Sequence, residues 1–232
     1  ILSASATSQV TLQVGGGLGI LMPRSNYGGS TIEYYRGTKY GLSNGINLQA
    51  KARLRFIGLS LVGEVDYSSL RNSGNSEPNQ GRVEVSQKLY SLKVGPELQF
   101  KLPALPVTPY LGANAAIHRF SGETTFQGVS KVPSATYVVQ SASRLGIGAS
   151  GGVLLKLYES LFLDLGLHYN LMNISGKSWE DVNPLQDQRL DSYLALNDER
   201  DPAFLPNDDK HFIAAQRAIH SLLLTATIMF SL

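Results

Sequence analysis

Apolar and polar residues alternate with a period of two along most of the chain, and convincing helical spacing occurs only once. Each alternating stretch has one face of Leu, Val, Ile, Ala and aromatic residues and a second face with the charged and small residues. This is the pattern of a β-strand whose two faces meet different surroundings. The eight predicted strands lie at residues 10–22, 46–56, 59–68, 90–101, 110–118, 144–157, 161–171 and 221–232.

The connections between these strands alternate in length. Short links are predicted at residues 57–58, 103–106 and 158–160. The long connections are polar and rich in Gly, Ser, Asn, Asp and Pro, and they lie at residues 23–43, 69–87, 120–142 and 173–215. Short turns at one end and long loops at the other are typical of an outer-membrane barrel. We therefore predict an all-β fold, an eight-stranded antiparallel transmembrane β-barrel with short periplasmic turns and four long extracellular loops.

The barrel is predicted to be one domain over residues 1–232. Residues 1–7 form an N-terminal extension in this interpretation, and "ILSASA" also fits the end of a signal segment with small residues at its cleavage site. Residues 173–215 form a long acidic outer loop.

The charged residues of the predicted strands lie opposite the apolar faces. In a membrane barrel they point inward, whereas in a soluble lipocalin-like barrel they would face water. Small residues on the charged faces and aromatic residues near the strand ends favour the membrane barrel. The predicted interior charge network consists of Lys51, Arg53, Arg55, Glu64, Asp66, Lys93, Glu97, Arg144, Lys156, Asp164 and Arg217. Its excess of cations keeps a narrow anion-favouring pore open as an alternative to a salt-bridged plug.

Composition excludes several classes of protein. The formal net charge is +2 and 16% of the residues are charged, against about 25% in an average soluble domain. These totals give no support to a nucleic-acid partner. The absence of Cys excludes a disulfide framework, a Cys-ligated zinc site and a thiol nucleophile. No stretch reaches the roughly 18 consecutive apolar residues of a membrane-spanning helix.

Two of the long loops contain candidate partner-binding residues. The first loop combines four tyrosines with basic residues, which is a composition typical of recognition surfaces, although two strands that continue above the membrane would also fit. In the last loop, 183–184 can start a short helix, with three residues on one face that could pack on the barrel rim or on a partner. These candidates are Tyr27, Tyr34, Tyr35, Tyr40, Leu190, Tyr193 and Leu194. Its acidic residues lack the spacing of a calcium loop.

An enzymatic function is the weaker hypothesis. His118, near the outer end of a strand, and His211, after two aspartates, are the candidate bases for hydrolysis. Neither is accompanied by a GxSxG or another signature of a hydrolase. We predict no catalytic residues, no metal and no cofactor.

Three segments, "TPYLGANAAIHRF" (108–120), "RLGIGASGGVLLKL" (144–157) and "LFLDLGLHYNLMNI" (161–174), resemble the small outer-membrane barrel superfamily of OmpA and OmpX type, including the PorT-like barrels of Bacteroidota. The similarity covers nearly the whole chain. Because these motifs are generic to barrels, the resemblance implies the architecture and a place among the lipids of a bacterial outer membrane, and says little about function.

The expected function is that of a non-enzymatic structural or interaction platform with a plugged interior, as a subunit of a larger envelope or secretion complex. Its partner would be another envelope protein that binds the long loops or the barrel wall. The alternatives are a narrow pore, a lipid-modifying outer-membrane enzyme and a soluble lipocalin-like carrier.

Overall fold

A computed structural model describes residues 10–56, 59–100, 102, 106–183 and 188–232. Eight antiparallel strands follow one another around a closed barrel, and β8 pairs with β1. The elements are β1 Thr11–Ser25, α1 Thr31–Tyr35, β2 Gly45–Arg55, β3 Leu59–Glu77, β4 Gln80–Gln99, β5 Val107–Gln127, β6 Ala135–Lys156, β7 Leu161–Ser175, α2 Gln188–Leu194 and β8 Ile219–Ser231. The predicted fold class is confirmed. The predicted extension at 1–7, the link at 57–58 and most of the link at 103–106 lie outside the described residues.

The lower part of the barrel has charges inside and apolar residues outside. On β2, Lys51 and Arg53 are 4% and 0% exposed, whereas Leu48 is 49% exposed. On β4, Lys93 is buried and Val94 is 53% exposed. A soluble lipocalin-like barrel requires the opposite arrangement. The exposed apolar face of these strands is therefore a belt suited to hydrocarbon. Within the described residues, neither helix is long and apolar enough to cross a membrane.

Two of the predicted long loops are strands. Residues 69–87 continue β3 and β4 up to a turn at 78–79, and residues 120–142 continue β5 and β6 around a turn at 128–134. The four strands thus rise well above β1, β2, β7 and β8. The sequence prediction was wrong here because the polar residues of these segments face outward, while apolar residues such as Leu70, Val83 and Phe126 are buried inside.

The polarity of the wall inverts between the two levels. On the lower part of β4, the outward residues Tyr90, Leu92 and Val94 are apolar. On the part of β4 above Tyr90, the apolar residues Val85 and Leu89 instead face the interior. The outward positions of β4 above Tyr90 are polar. The upper half is therefore built like a soluble barrel, with its own hydrophobic core.

Two short helices pack into this upper core. Ser30 caps α1 in a reciprocal capping box with Glu33, which satisfies the free amides of the first turn. The alternative of two continuing strands in the first loop is therefore wrong. The helix predicted in the last loop is present as α2, and the predicted start at 183–184 includes a residue outside the described range.

Candidate functional site

An ion network fills the lower interior of the barrel. Lys51 on β2 lies 3.0 Å from Glu64 on β3 and 3.0 Å from Asp164 on β7. Arg53, two residues further along β2, lies 2.8 Å from Asp164 and also 2.8 Å from Glu97 on β4. The network thus connects strands from opposite sides of the barrel, and every one of these groups is buried.

A second set of contacts completes the network. Lys93 on β4 lies 2.5 Å from Asp66 and 3.7 Å from Glu64. The Tyr110 hydroxyl donates to Asp164 at 2.7 Å, and its ring lies 5.2 Å from the Lys51 ammonium and 5.3 Å from the Arg53 guanidinium. Buried charges are stable only when each has partners of this kind.

Four of the predicted network residues lie elsewhere. Arg144 and Arg217 belong to a separate cluster at the outer end of the barrel. Lys156 is exposed at the inner end of β6, and Arg55 is half-buried at the end of β2, where it makes no ion pair within the described chain. The described network therefore has three cations and four carboxylates, and the cation excess that favoured an anion pore does not occur in it. It consists of Lys51, Arg53, Lys93, Glu64, Asp66, Glu97 and Asp164.

Asp198 anchors the last loop to the barrel. Its carboxylate accepts from Arg144 on β6 at 2.8 and 2.9 Å, from Asn173 on β7 at 2.9 Å, and from the backbone amide of Ser178 at 3.0 Å. Burial alone would raise the pKa of Asp198, and these donors outweigh it and hold the pKa below its ordinary value. The sequence offered no signal that distinguishes Asp198 from the other acids of the loop.

Arg217 is the second charged anchor of this loop. It donates to the carbonyl oxygens of Leu196 and Asn197 at 3.2 and 2.5 Å and lies 4.2 Å from the centroid of the Tyr40 ring. The Tyr40 hydroxyl also donates to the Leu196 carbonyl, at 2.6 Å. The first and last loops are thus joined by buried hydrogen bonds.

Aromatic residues form an outer cap, which we define as the buried cluster of Tyr27, Tyr34, Tyr35, Tyr40, Phe126 and Tyr193. The Tyr193 hydroxyl donates to the Tyr35 carbonyl at 2.6 Å, and its ring lies 5.0 Å from that of Phe126. The Arg189 guanidinium lies 4.4 Å from the centroids of Tyr35 and of Phe212. Burial raises the pKa of Tyr34 to about 12, so that its phenol remains neutral.

The burial of the first-loop tyrosines corrects the prediction that they form an exposed recognition surface, whereas the buried residues of α2 agree with the alternative in which they pack on the barrel rim. The four tyrosines of the first loop are between 0% and 6% exposed, Leu190 is 6% and Tyr193 2% exposed, and Leu194 is partly buried against the same core. They are needed to fill the space between the raised strands and the two helices. Any partner must therefore meet other residues of the outer surface.

The histidines lie in environments that do not resemble an open active site. His118 faces the barrel interior at 1% exposure, and its Nδ1 lies 2.8 Å from the Ser91 hydroxyl. The adjoining cavity is only about 10 Å³, which is the space of about one water molecule. His211 pairs with Asp201 at 3.0 Å in the last loop. Within the described residues, no group of three or more His, Asp or Glu could hold a metal ion.

No protein-family model and no curated protein matches the chain. Solved structures do match. Neisserial surface protein A is 18% identical with a TM-score of 0.53, and the match covers 94% of this chain and 96% of that one. The outer membrane protein OprG from Pseudomonas aeruginosa is 10% identical with a TM-score of 0.52, with 97% of each chain covered. The chain has the fold of the small outer-membrane β-barrels.

In such a small outer-membrane barrel, the apolar belt is the surface that contacts lipid. Its outward residues include Leu18, Leu92 and Leu111, which are 61%, 57% and 60% exposed. A water-exposed belt of this size would be an unfavourable surface for a soluble protein. The fold and the belt together assign the protein to a bacterial outer membrane.

Proposed function

We propose that this protein is a closed, non-enzymatic outer-membrane barrel that presents an ordered outer surface to another protein of the cell envelope. The observation that carries the proposal is that the interior is filled at two levels. Charged side chains fill the lower level, and apolar side chains fill the level above it. The last loop is tied across the mouth by Asp198 and Arg217.

The apolar level supports a non-conducting interior. Leu89, Phe120 and Leu223 are each 1% exposed and come from β4, β5 and β8. A permeating ion would lose its hydration in this layer without gaining polar partners. The ion network below would add a second barrier, because its groups are paired with one another.

Single-channel recording in planar bilayers tests the closed interior. The wild-type protein is expected to give no large stable current steps after insertion has been verified by protease cleavage of its outer loop. The current of Leu89→Gly, which opens the apolar layer, is compared with that of Leu92→Gly. Leu92→Gly is the matched control because it makes the same change on the lipid-facing side of the same strand. Large stable steps from the wild-type protein would contradict the proposal and favour the narrow pore.

The proposed interaction role is supported by the fixed conformation of the outer loops. Because the cap and the anchors already fix the loops, a partner pays less conformational entropy to bind them. Leu205 on the last loop and Val138 on β6 remain 60% and 76% exposed, and they lie on parts of the chain that the membrane does not cover. An exposed apolar residue on such an ordered surface is suited to a protein interface.

Photo-crosslinking in intact membranes tests this role. A photoreactive residue at Leu205 or Val138 is expected to give a crosslink to one other envelope protein, which mass spectrometry identifies. Leu111, exposed on the lipid-facing wall, is the control position. A protein crosslink from Leu111 alone would contradict the proposal that the partner binds the outer surface, and it would place the interface on the barrel wall.

A further inference from the structure

The outer edge of the apolar belt is marked by a pair of tyrosines. Tyr67 on β3 and Tyr90 on β4 are register partners, and their ring centroids lie 4.9 Å apart. Both face outward, and the wall inverts its polarity immediately above them. Tyrosines at this position are typical of the level where lipid tails meet headgroups.

Two cations adjoin this tyrosine pair, one beside Tyr90 and one above it. Arg119 on β5 is the register partner of Tyr90, and Lys88 is two residues above Tyr90 on β4. Both side chains are exposed and face outward. Residues in this diagonal relationship on neighbouring antiparallel strands are roughly 7–8 Å apart, within reach of two long side chains. One small anion can therefore contact both.

The surroundings leave these cations available. Neither Lys88 nor Arg119 makes an ion pair within the described residues, whereas Arg71 higher on the same wall is paired with Glu84. The next outward carboxylate on β5 is Glu123, which is diagonal to Lys88 and forms no ion pair with either cation within the described residues.

Hydroxyl groups complete the patch. Ser69 and Ser121 are the register partners of Lys88, and Ser143 is that of Arg119. They provide neutral hydrogen-bond donors beside the two positive charges. Cationic groups with adjacent hydroxyls suit a phosphate, which offers several strong acceptor oxygens.

We propose that Lys88 and Arg119 bind the phosphate group of an anionic lipid in the outer leaflet. Lipid is the source of the phosphate because Lys88 and Arg119 lie at headgroup height on the outward wall. At this height the apolar stems of their side chains can rest on the tyrosine pair while the charged ends reach the headgroups. The site is independent of the proposed protein partner and of the closed interior.

Native mass spectrometry of the full-length protein in detergent micelles tests the site. The protein is titrated with a bisphosphorylated lipid A and with the same lipid after dephosphorylation. The variant K88Q/R119Q is expected to bind the phosphorylated lipid about 25-fold more weakly, from roughly fivefold for each cation at a membrane surface. Binding of the dephosphorylated lipid should not change.

A charge-matched control is provided by R71Q/R82Q, which removes two exposed cations higher on the same wall. This control should retain wild-type affinity, and circular dichroism should show the same strand content for all proteins. An equal loss in both double variants would overturn the site in favour of diffuse charge attraction. Displacement of the lipid by inorganic phosphate at similar concentration would overturn it in favour of a simple anion site.

Discussion

The Asp164 carboxylate lies 2.8 Å from the Arg53 guanidinium although their strands, β7 and β2, are not neighbours in the barrel. β8 and β1 lie between them, so the ion pair crosses the interior. Arg53 also binds Glu97 on β4, on the other side of β2. One side chain thus joins three separate parts of the wall.

Removal of Arg53 should therefore destabilise the barrel strongly. Arg53→Met leaves the buried Glu97 without an ion-pair partner among the described residues and leaves Asp164 with Lys51 alone. Breaking a buried pair typically costs about 3–5 kcal/mol. We expect that loss in urea unfolding followed by far-UV circular dichroism. Arg55→Met, at a half-buried position without an ion pair in the described chain, should cost less than about 1 kcal/mol. Equal effects at the two positions would contradict a central role of Arg53.

The last loop should become mobile when Asp198 loses its charge. Asp198→Asn weakens the hydrogen bonds from Arg144, Asn173 and Ser178. Trp179 reports on this change because it follows Ser178 directly and is the sole Trp of the chain. Acrylamide should then quench Trp179 fluorescence more strongly. Asp209→Asn, at an exposed residue of the same loop, is the control, and similar quenching in both variants would contradict the anchor.

Low pH should release the same anchor. The pKa of Asp198 is lower in the folded protein than its ordinary value, so its contribution to stability is complete above that ordinary value of about 3.9 and is lost as the pH falls through the lower, folded value. Trp179 quenching should be constant between about pH 7 and 5 and should increase below about pH 4. An increase already near pH 6 would point to a histidine instead.

The membrane-spanning half of the fold could be predicted from the sequence because one rule applies to all eight strands. Lys51 and Arg53 alternate with Ala50, Ala52 and Leu54, and the buried and exposed positions follow the same alternation. Short-range pattern determines which face is charged. It cannot determine which carboxylate each cation reaches, because Arg53 and Asp164 meet only after the barrel has closed.

The upper half was missed although the sequence contains a signal for it. On β4, the apolar residues change from even positions, such as Leu92, to odd positions, such as Val83 and Val85. A search for one continuous apolar face ends at this change and assigns a loop. A change of parity within one alternating segment is therefore better interpreted as a strand that leaves the membrane.

Spin labels can locate this change of environment. A nitroxide at Leu92, on the belt, should collide more often with oxygen than with a water-soluble nickel complex, whereas a label at Glu84 should show the reverse. A label at Val85, which faces the upper core, should be shielded from both. Because the chain has no Cys, each single Cys variant is labelled at one position. High oxygen accessibility at Glu84 would place the membrane boundary above Tyr90 and contradict the assigned belt.

The outer cap should unfold separately from the membrane-spanning strands. Phe126 is 0% exposed and packs on Tyr137 and Tyr193 at centroid distances of 6.1 and 5.0 Å. Phe126→Ala removes these contacts, and such a cavity typically costs about 3–5 kcal/mol. Cooperative units of a protein can open below the global unfolding free energy, so hydrogen exchange should accelerate in α2 and remain slow at residues 92–98.

The exposed Val138 on the same hairpin provides the matched control for this cavity. Val138→Ala removes a side chain that is 76% exposed, so the protection of α2 should stay at its wild-type level. If Phe126→Ala accelerated exchange equally in α2 and at residues 92–98, the two halves would form one cooperative unit. If it left α2 fully protected, the ion pair of Asp198 with Arg144 and the hydrogen bonds of Arg217 to the loop carbonyls would be sufficient to hold the loops without the aromatic cap.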